Sequence, residues 1–242
     1  MPRSVMEHSF SNVPRANIPR SVFNRSHGHK TTFDADYLVP IIVDDILPGD
    51  SLNFECHFFA RLATPIHPIM DNMYVETFFF FVPYRLVWDN WEKFHGAQDD
   101  PADSIDFTIP ALASSTSIST TDGNTNDEFL LYMGLPYISG IDASEINVLP
   151  MRAYNLIWNE WFRDQNLQDS VTVDTDDGPD TTTQYDLLKR GKRHDYFTSC
   201  LPWPQKGDAV SLPLGTTAPV TGIGVSGAIT SNNISNLKET GG

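Results

Sequence analysis

The sequence has 242 residues, of which 40% are hydrophobic, 12% aromatic and 19% charged, and its formal net charge is −15. This composition is typical of a folded protein, and no apolar run approaches the ~18 residues of a membrane span, so we expect no membrane partner. The negative charge argues against a general nucleic-acid binder, since contacts to phosphate need a positive surface.

The charge is unevenly distributed along the chain. Residues 1–30 contain five cations and one acid and sum to +4, whereas the other 212 residues sum to −19. The same 30 residues show no usable periodicity and contain three prolines. We therefore predict a basic N-terminal arm that is extended, or ordered only by contact with something else, ahead of an acidic body.

The body begins with strand patterns. Residues 37–47 are apolar and β-branched and run into the turn signal Pro48-Gly49-Asp50, which predicts a strand and a turn. Residues 51–62 alternate between the two faces as a half-buried antiparallel strand does. Two prolines within residues 64–68 then predict a corner, because each removes a donor from a strand ladder.

The plainest local pattern lies in residues 73–96. Residues 74–82 include four consecutive phenylalanines, which predicts a strand buried on both faces. Pro83 ends this strand, since it lacks the amide proton that a ladder needs. A helix is predicted next, ended by Gly96 in a left-handed cap. Its apolar stripe consists of Val87, Trp88, Trp91, and Phe94 or His95.

The middle of the chain predicts helices between polar loops. Long surface loops are predicted within residues 99–126. A short helix is predicted from Asn126 or Asp127 to Gly134. Pro150 is suited to the first turn of a second helix, which continues over residues 151–164. The apolar stripe of that helix consists of Tyr154, Ile157, Trp158 and Trp161.

The last third of the chain predicts mostly loop. Residues 171–183 are acidic and rich in turn formers, which predicts a solvated loop. Residues 205–242 contain no aromatic side chain. Strands without a regular strand–helix alternation favour a β-sheet domain decorated by insertions. Too few strands are present to close such a sheet, so we expect it to pair with further sequence of its own or with neighbouring subunits.

Metal and cofactor sites find little support. His27 and His29, followed by Asp34 and Asp36, are suitable ligand types, but no third ligand stands at a metal-site spacing. The sequence also lacks the phosphate-binding glycine motifs and the HExxH zinc motif. We predict no metal and no cofactor.

Catalysis by a cysteine finds no support either. His194-Asp195 and Cys200 could form a Cys–His pair, but no glycine-rich elbow or oxyanion-hole sequence accompanies them. Cys56 and Cys200 are too few for a disulfide framework and are predicted to be free, buried thiols. We therefore predict that the protein is not an enzyme.

Two sets of residues are candidates for binding. The basic cluster could contact nucleic acid or a partner, or could be an ordinary solvated helix end, with acidic residues 174–180 as an internal or inter-subunit counter-charge. Its members are Lys189, Arg190, Lys192 and Arg193. Tryptophans can stack on bases, but helical spacing indicates core or interface for most of them. The candidate interface aromatics are Trp88, Trp91, Phe94, Trp158 and Trp161.

Several segments, in one order, carry a family resemblance. They are residues 23–34 running on to 37–40, residues 48–50, 61–65, 68–72 and 73–88, residues 152–155 with 158–159, and residues 190–197 through 200–205. Together they span residues 20 to about 215 and resemble the N-terminal portion of the major capsid protein of microviruses, specifically the gokushovirus branch.

The resemblance implies a mainly β fold, an antiparallel viral jelly-roll β-barrel with long loop and helical insertions that is incomplete in this chain. The arm would be residues 1–30, and the jelly-roll portion residues 31–215, with helical insertions at about 84–165. Residues 216–242 would begin a variable surface insertion rich in Gly, Ser, Thr and Asn. Members of the family continue well beyond residue 242, so the sequence is expected to be a fragment or half of a split protein.

The resemblance also implies a structural role as the major capsid subunit of a T=1 icosahedral shell of sixty copies around circular single-stranded DNA. Its partners would be other copies of itself, other capsid proteins and the packaged DNA, in a virion assembled in the host cytoplasm. The arm would lie along the inner shell surface and contact DNA or a neighbouring subunit through Arg15, Arg20, Arg25 and Lys30. The alternative is a lectin-like jelly-roll module whose tryptophans stack on sugar rings.

Overall fold

The structure is a computed structural model, and it describes residues 19–104, 106–113, 118–120, 125–191, 193, 195–197, 199–203 and 206–208. The predicted surface insertion at 216–242 lies outside these residues. The chain divides into two compact units, Met1–Arg193 and His194–Gly242. All helices and strands described below belong to the first unit. Within the described ranges, no helix has the length and apolar character to cross a membrane.

The segment after Pro83 forms two short helical turns. A 3₁₀ turn spans Tyr84–Leu86, and the helix α1 spans Trp91–Phe94. Gly96 follows with φ +90°, and its amide donates to the carbonyl oxygen of Lys93 at 2.9 Å. The predicted helix is therefore present as two pieces, and its left-handed glycine end is confirmed.

A small hairpin-like pair encloses the next helix. Strands β1 (Ile118–Ser119) and β2 (Ser139–Ile141) pair in antiparallel fashion with an irregular register. Between them lies α2, Thr125–Tyr132. It ends before Gly134, whose φ of +103° is accessible to glycine at little cost. The predicted short helix is confirmed, with a start one or two residues earlier.

The second predicted helix is also confirmed. The helix α3 spans Leu149–Ile157 with Pro150 in its first turn, and it runs directly into a π-helical turn, Trp158–Phe162. The Arg163 amide closes that turn on the carbonyl oxygen of Trp158 at 2.9 Å. π-helical turns of this kind usually occur as single insertions within α-helices.

The buried face of α3 differs from the predicted apolar stripe. Tyr154 and Ile157 are only half-buried, and Trp161 is 64% exposed. The buried positions are Leu149, Met151, Arg152, Asn155, Trp158, Asn159 and Phe162. Three of these are polar and are buried because each finds hydrogen-bond partners, which a count of apolar residues cannot detect.

The core of the first unit lies where α2 and α3 meet the segments near residues 112 and 187. Its main cluster comprises Leu112, Phe129, Leu130, Ala143, Val148, Met151, Tyr185 and Leu187. A smaller cluster of Val87, Trp88 and Leu149 joins the turns after Pro83 to the start of α3. Full burial of one large apolar side chain contributes about 1.5–3 kcal/mol, so the helical middle of the chain holds this unit together.

The predicted strands at 51–62 and 74–82 are not paired strands in the structure. Every residue of 51–62 is exposed, and in the second segment Phe81 is 74% exposed. The prediction that 74–82 is buried on both faces is therefore wrong for the described chain. A ladder needs a neighbouring strand, and no described segment lies against these residues as one. The jelly-roll architecture stays a prediction.

The two thiols are free, as predicted, but Cys56 and Cys200 are both exposed. The predicted burial is wrong. For Cys56 the reason is its position in 51–62, where no partner strand covers the side chains.

Candidate functional site: the basic cluster and the exposed aromatic segment

A short antiparallel pairing positions the start of the basic cluster. The Leu38 amide donates to the carbonyl oxygen of Leu188 at 3.0 Å, and Tyr37 faces Lys189 across the pairing. The Lys189 ammonium lies 4.9 Å from the centre of the Tyr37 ring, within cation–π range. The beginning of the predicted strand at 37–47 therefore does pair, but with the basic cluster.

The two described arginines of the cluster converge on one carboxylate, Glu76. Arg190 donates a hydrogen bond to Glu76, and Nη1 of Arg193 lies 3.4 Å from the other carboxylate oxygen. The guanidinium of Arg190 also lies 5.4 Å from the Phe78 ring centre, and that of Arg193 lies 5.2 Å from Tyr74. We call residues 74–82 the aromatic segment. The described arginines of the basic cluster thus contact the first half of the aromatic segment.

This arrangement shifts the titration of Glu76. The hydrogen bond from Arg190 lowers the pKa of Glu76 below its ordinary value of 4.5, against the opposing effect of burial, and the charges of both arginines lower the pKa further. Glu76 therefore supplies within the chain the counter-charge that was predicted in residues 174–180. Lys192 lies outside the described residues.

The phenylalanines of the aromatic segment point to alternate sides. The ring centres of Phe78 and Phe80 lie 5.3 and 5.8 Å from that of Phe162. Phe79 instead lies 4.6 Å from Phe54. A two-residue period is that of an extended chain, even though no strand is paired here.

The aromatic segment presents a large apolar surface. Its four phenylalanines range from 38% exposure at Phe78 to 74% at Phe81. Trp161, in the π-helical turn, extends this surface, with its ring centre 6.0 Å from Phe80. Monomeric proteins rarely expose contiguous apolar patches of this kind unless something binds there. The geometry therefore indicates a contact surface.

The five predicted interface aromatics divide into three groups. Trp88 and Trp158 are buried within the chain itself, and each indole N–H is paired inside it, with Asp177 Oδ1 at 2.7 Å and the Lys189 carbonyl at 2.8 Å. In the described chain neither tryptophan is available to a partner. Trp91 and Phe94 are half-buried against the smaller core cluster, and Trp161 is exposed. An interface role stays a prediction, for which Trp161 is the best placed.

The arm residues that the structure describes lie on the surface. Arg20 donates to the carbonyl oxygen of Gly49 at 3.2 Å, and Arg25 forms an ion pair with Asp44. Lys30 is exposed, and Arg15 lies outside the described residues. Contact of these residues with DNA or a neighbouring subunit stays a prediction.

A buried charge that the sequence did not reveal lies in α3. Arg152 of α3 is fully buried, and its Nε and Nη2 donate to the two carboxylate oxygens of Asp180 at 2.7 and 2.5 Å. Its Nη1 donates to the carbonyl oxygens of Val87 and Asp176 at 3.0 and 2.8 Å. The hydroxyl of Tyr185 donates to Asp180 as well. One guanidinium thus ties α3 to two distant loops.

The Arg152–Asp180 pair corrects the predicted solvated loop at 171–183, because Asp180 is buried. Burial alone would lower the pKa of Arg152, but the hydrogen bond and charge of Asp180 outweigh it and raise that pKa above its ordinary value. Burial, with the hydrogen bond to Asp180, likewise raises the pKa of Tyr185. The sequence signal for this pair is weak, since an arginine at a core-facing helical position is not distinctive without its partner.

Comparisons with a family profile and with known proteins agree on one family, that of a capsid protein. A family profile described as "Capsid protein (F protein)" matches residues 11–241. Capsid protein VP1 of Bdellovibrio phage phiMH2K is 52% identical over 215 residues, which is 89% of this chain and 39% of that protein. Capsid protein VP1 of Chlamydia phage 1 is 44% identical over 230 residues, or 86% of this chain and 37% of that protein.

A more distant relative agrees with these two. Capsid protein VP1 of Spiroplasma virus 4 is 34% identical over 226 residues, which is 88% of this chain and 40% of that protein. The resemblance predicted from the sequence is confirmed. The chain spans about two fifths of the length of these curated relatives.

Proposed function

The chain belongs to the capsid protein (F protein) family, and from that premise we propose that it serves as the major capsid subunit of a microvirus, a structural and non-enzymatic role. The observation that carries this proposal is the family match over nearly the whole chain, together with three relatives that are each named capsid protein VP1. The protein is then a virion component that assembles in the host cytoplasm.

The assembly we propose is a T=1 shell of sixty copies around circular single-stranded DNA. Support comes from Trp161, which is 64% exposed in the π-helical turn, since subunits of a closed shell bury apolar anchors against their neighbours. Such contacts bury about 800 Å² on each partner. The other contacts proposed are with further capsid proteins of the virion and with the packaged DNA.

The fold we propose is the antiparallel viral jelly-roll β-barrel with loop and helical insertions. In this proposal, residues 37–47, 51–62 and 74–82 are strands of its sheets. The alternating directions of Phe78, Phe79 and Phe80 support an extended segment ready to pair. The exposure of 51–62 and 74–82 is then explained by neighbouring strands outside the described residues.

Particle formation tests the capsid role. The full-length protein, expressed alone and with other capsid proteins of the virion, is expected to sediment as shell-sized particles that are visible by electron microscopy. Trp161→Ser is expected to reduce the particle yield, because it removes an exposed aromatic anchor, whereas Leu167→Ser, at a position of similar exposure, is the matched control. A wild-type protein that never sediments faster than a small oligomer would contradict the role.

The arm is proposed to contact DNA or a neighbouring subunit at the inner surface. Its charges favour phosphate, and such binding weakens with salt. Reversing the charges of Arg15, Arg20, Arg25 and Lys30 together is expected to reduce assembly or the amount of DNA protected from nuclease. If particle yield and protected DNA were both unchanged, the arm would not have this role.

A further inference from the structure

The arm holds two apolar side chains away from the body of its own chain. Val22 is 99% exposed and Phe23 is 80% exposed. On one side, Arg20 hydrogen-bonds a backbone carbonyl of the turn after the first predicted strand at 3.2 Å, and on the other side Arg25 pairs with Asp44. The two apolar residues are thus presented to solvent between two points of attachment. An exposed phenyl ring on a segment attached at both ends is a good anchor for a partner, because less backbone entropy is lost when it binds than from a free chain.

An apolar pocket of about 270 Å³ opens on the same unit, between the end of α2 and the start of α3. Its apolar lining includes Met133, Leu135, Ile146 and Met151, and Glu145 is its acidic member. An apolar cavity of about 150 Å³ is enough to bind benzene, whereas drug-sized ligands occupy about 300 Å³ or more. The pocket is therefore of the size that accepts one or two apolar side chains.

The charges beside Phe23 and beside the pocket are complementary. Among the described residues, Arg20 forms no ion pair, since it bonds only a neutral carbonyl, and Glu145 forms none either. Arg20 stands three residues before Phe23, and Glu145 belongs to the pocket lining. A ring that enters the pocket would bring a cation close to this carboxylate, at a partly exposed position where opposite charges guide orientation and rate of association.

We propose that Phe23, together with Val22, of one copy enters the pocket of a second copy, with Arg20 near Glu145 of that copy. The described arm residues, 19–30, do not fill the chain's own pocket, although Val43 lines it and the adjacent Asp44 holds Arg25. Every copy carries both halves of the contact, so two copies can exchange arms as a reciprocal two-fold pair, or the contact can repeat from copy to copy around a ring. This inference rests on the proposed capsid role and names one contact within it.

Cross-linking between two differently marked copies tests the contact. In a Cys56→Ser, Cys200→Ser background of the full-length protein, Phe23→Cys copies are mixed with Met133→Cys copies under assembly conditions and treated with a short bis-maleimide. Thiols held in contact react at a high effective concentration, so we expect about tenfold more cross-linked dimer than with Phe33→Cys, a half-exposed position just after the arm. Glu145→Cys, at the exposed rim, replaces Met133→Cys if that variant does not fold.

Two results would overturn the contact while leaving the capsid role intact. The first is particle formation without any excess of dimer over the Phe33→Cys control. The second is a cross-link that forms only within one chain, in the Phe23→Cys, Met133→Cys double variant, which would show that the arm fills its own pocket. Absence of particles from the wild-type protein would instead count against the capsid role itself, and the contact would fall with it.

Discussion

At the scale of single residues, Arg152 is the side chain on which the described structure depends most. A buried guanidinium is tolerated only when its charge and its donors are matched, and here Asp180 and two backbone carbonyls do so. Asp180 in turn has no other cation beside it among the described ion pairs. Loss of Arg152 would therefore leave the buried Asp180 carboxylate without its ion-pair partner, with the Tyr185 hydroxyl as its remaining described side-chain donor.

Arg152→Met is expected to lower the free energy of unfolding by about 3–5 kcal/mol, because one partner of a buried ion pair is removed. Urea denaturation of the full chain measures this. Arg85→Met, at an exposed position, is the control and is expected to change stability by about 0.5 kcal/mol or less. The double variant Arg152→Met, Asp180→Asn is expected to recover part of the loss. A single-variant loss below about 1 kcal/mol would contradict this account of the pair.

Individual residues were predictable only where the local sequence shows their chemistry. The basic cluster is visible as a run of cations, and the structure does place Arg190 and Arg193 together. Glu76, their counter-charge, stands over a hundred residues away in the sequence and has no local signal. The same applies to Asp180 as the partner of Arg152, because long-range pairs become visible only once the chain is folded.

At the scale of elements, the end of the π-helical turn contacts Gly191, which lies between the residues of the basic cluster. The amide of Gly191 donates to the carbonyl oxygen of Phe162 at 3.0 Å. A Cβ added at Gly191 would lie 2.5 Å from that same oxygen, which is closer than real Cβ contacts allow. The backbone approach therefore requires glycine, and it holds the basic cluster against the helix.

Gly191→Ala is expected to cost about 1–3 kcal/mol of stability, since the backbone must move apart to accept the methyl group. The control is Gly28→Ala, where nothing lies within 4 Å of the added Cβ. Thermal unfolding of both variants beside the wild type measures the difference. Equal melting temperatures for the two variants would show that the close approach is not maintained in solution.

The junction of Glu76 with the two arginines predicts a dependence of stability on pH. A carboxyl whose pKa is lower in the folded than in the unfolded chain contributes stability that is present above its ordinary value of 4.5 and is lost as pH falls through the lower folded value. Glu76→Gln is therefore expected to lose stability less steeply than the wild type as pH falls below 4.5. The pKa values of Asp103 and Asp142 are also lowered, so some slope persists in both proteins.

Denaturation curves at a series of pH values, at low and at high salt, measure this dependence. Salt is expected to reduce the difference between wild type and Glu76→Gln, since the pair lies near solvent. Glu92→Gln, at an exposed position in α1, controls for the loss of one negative charge. Parallel curves for wild type and Glu76→Gln would contradict the ion-pair account.

Helices were easier to predict than strands, for a physical reason. The starts and ends of α2 and α3 are marked by local signals, such as Pro150 in the first turn and Gly134 after the last. A helix satisfies its own backbone, whereas a strand needs a partner, so 51–62 carries a clear alternation and yet is not a strand in the described chain. The buried face of α3 was misplaced because three of its members are polar.

At the scale of the whole molecule, the exposed apolar surface and the family assignment both indicate a chain that contacts further protein. The described chain buries a helical core but leaves the phenylalanines of the aromatic segment open to solvent, as expected of a chain whose apolar surface is covered by further strands or by neighbouring subunits. Composition alone indicated a folded, acidic protein without an enzyme motif. The proposed T=1 shell could not be predicted from composition, since symmetry is a property of many copies, and the prediction came only from the family resemblance.

The mass of the assembled particle tests the capsid proposal most directly. Particles formed by the full-length protein are purified without DNA and weighed by charge-detection mass spectrometry, and the result is divided by the mass of one subunit. The T=1 proposal predicts sixty copies per particle. A full-length protein that stays monomeric, or forms closed particles with a different copy number, would contradict it.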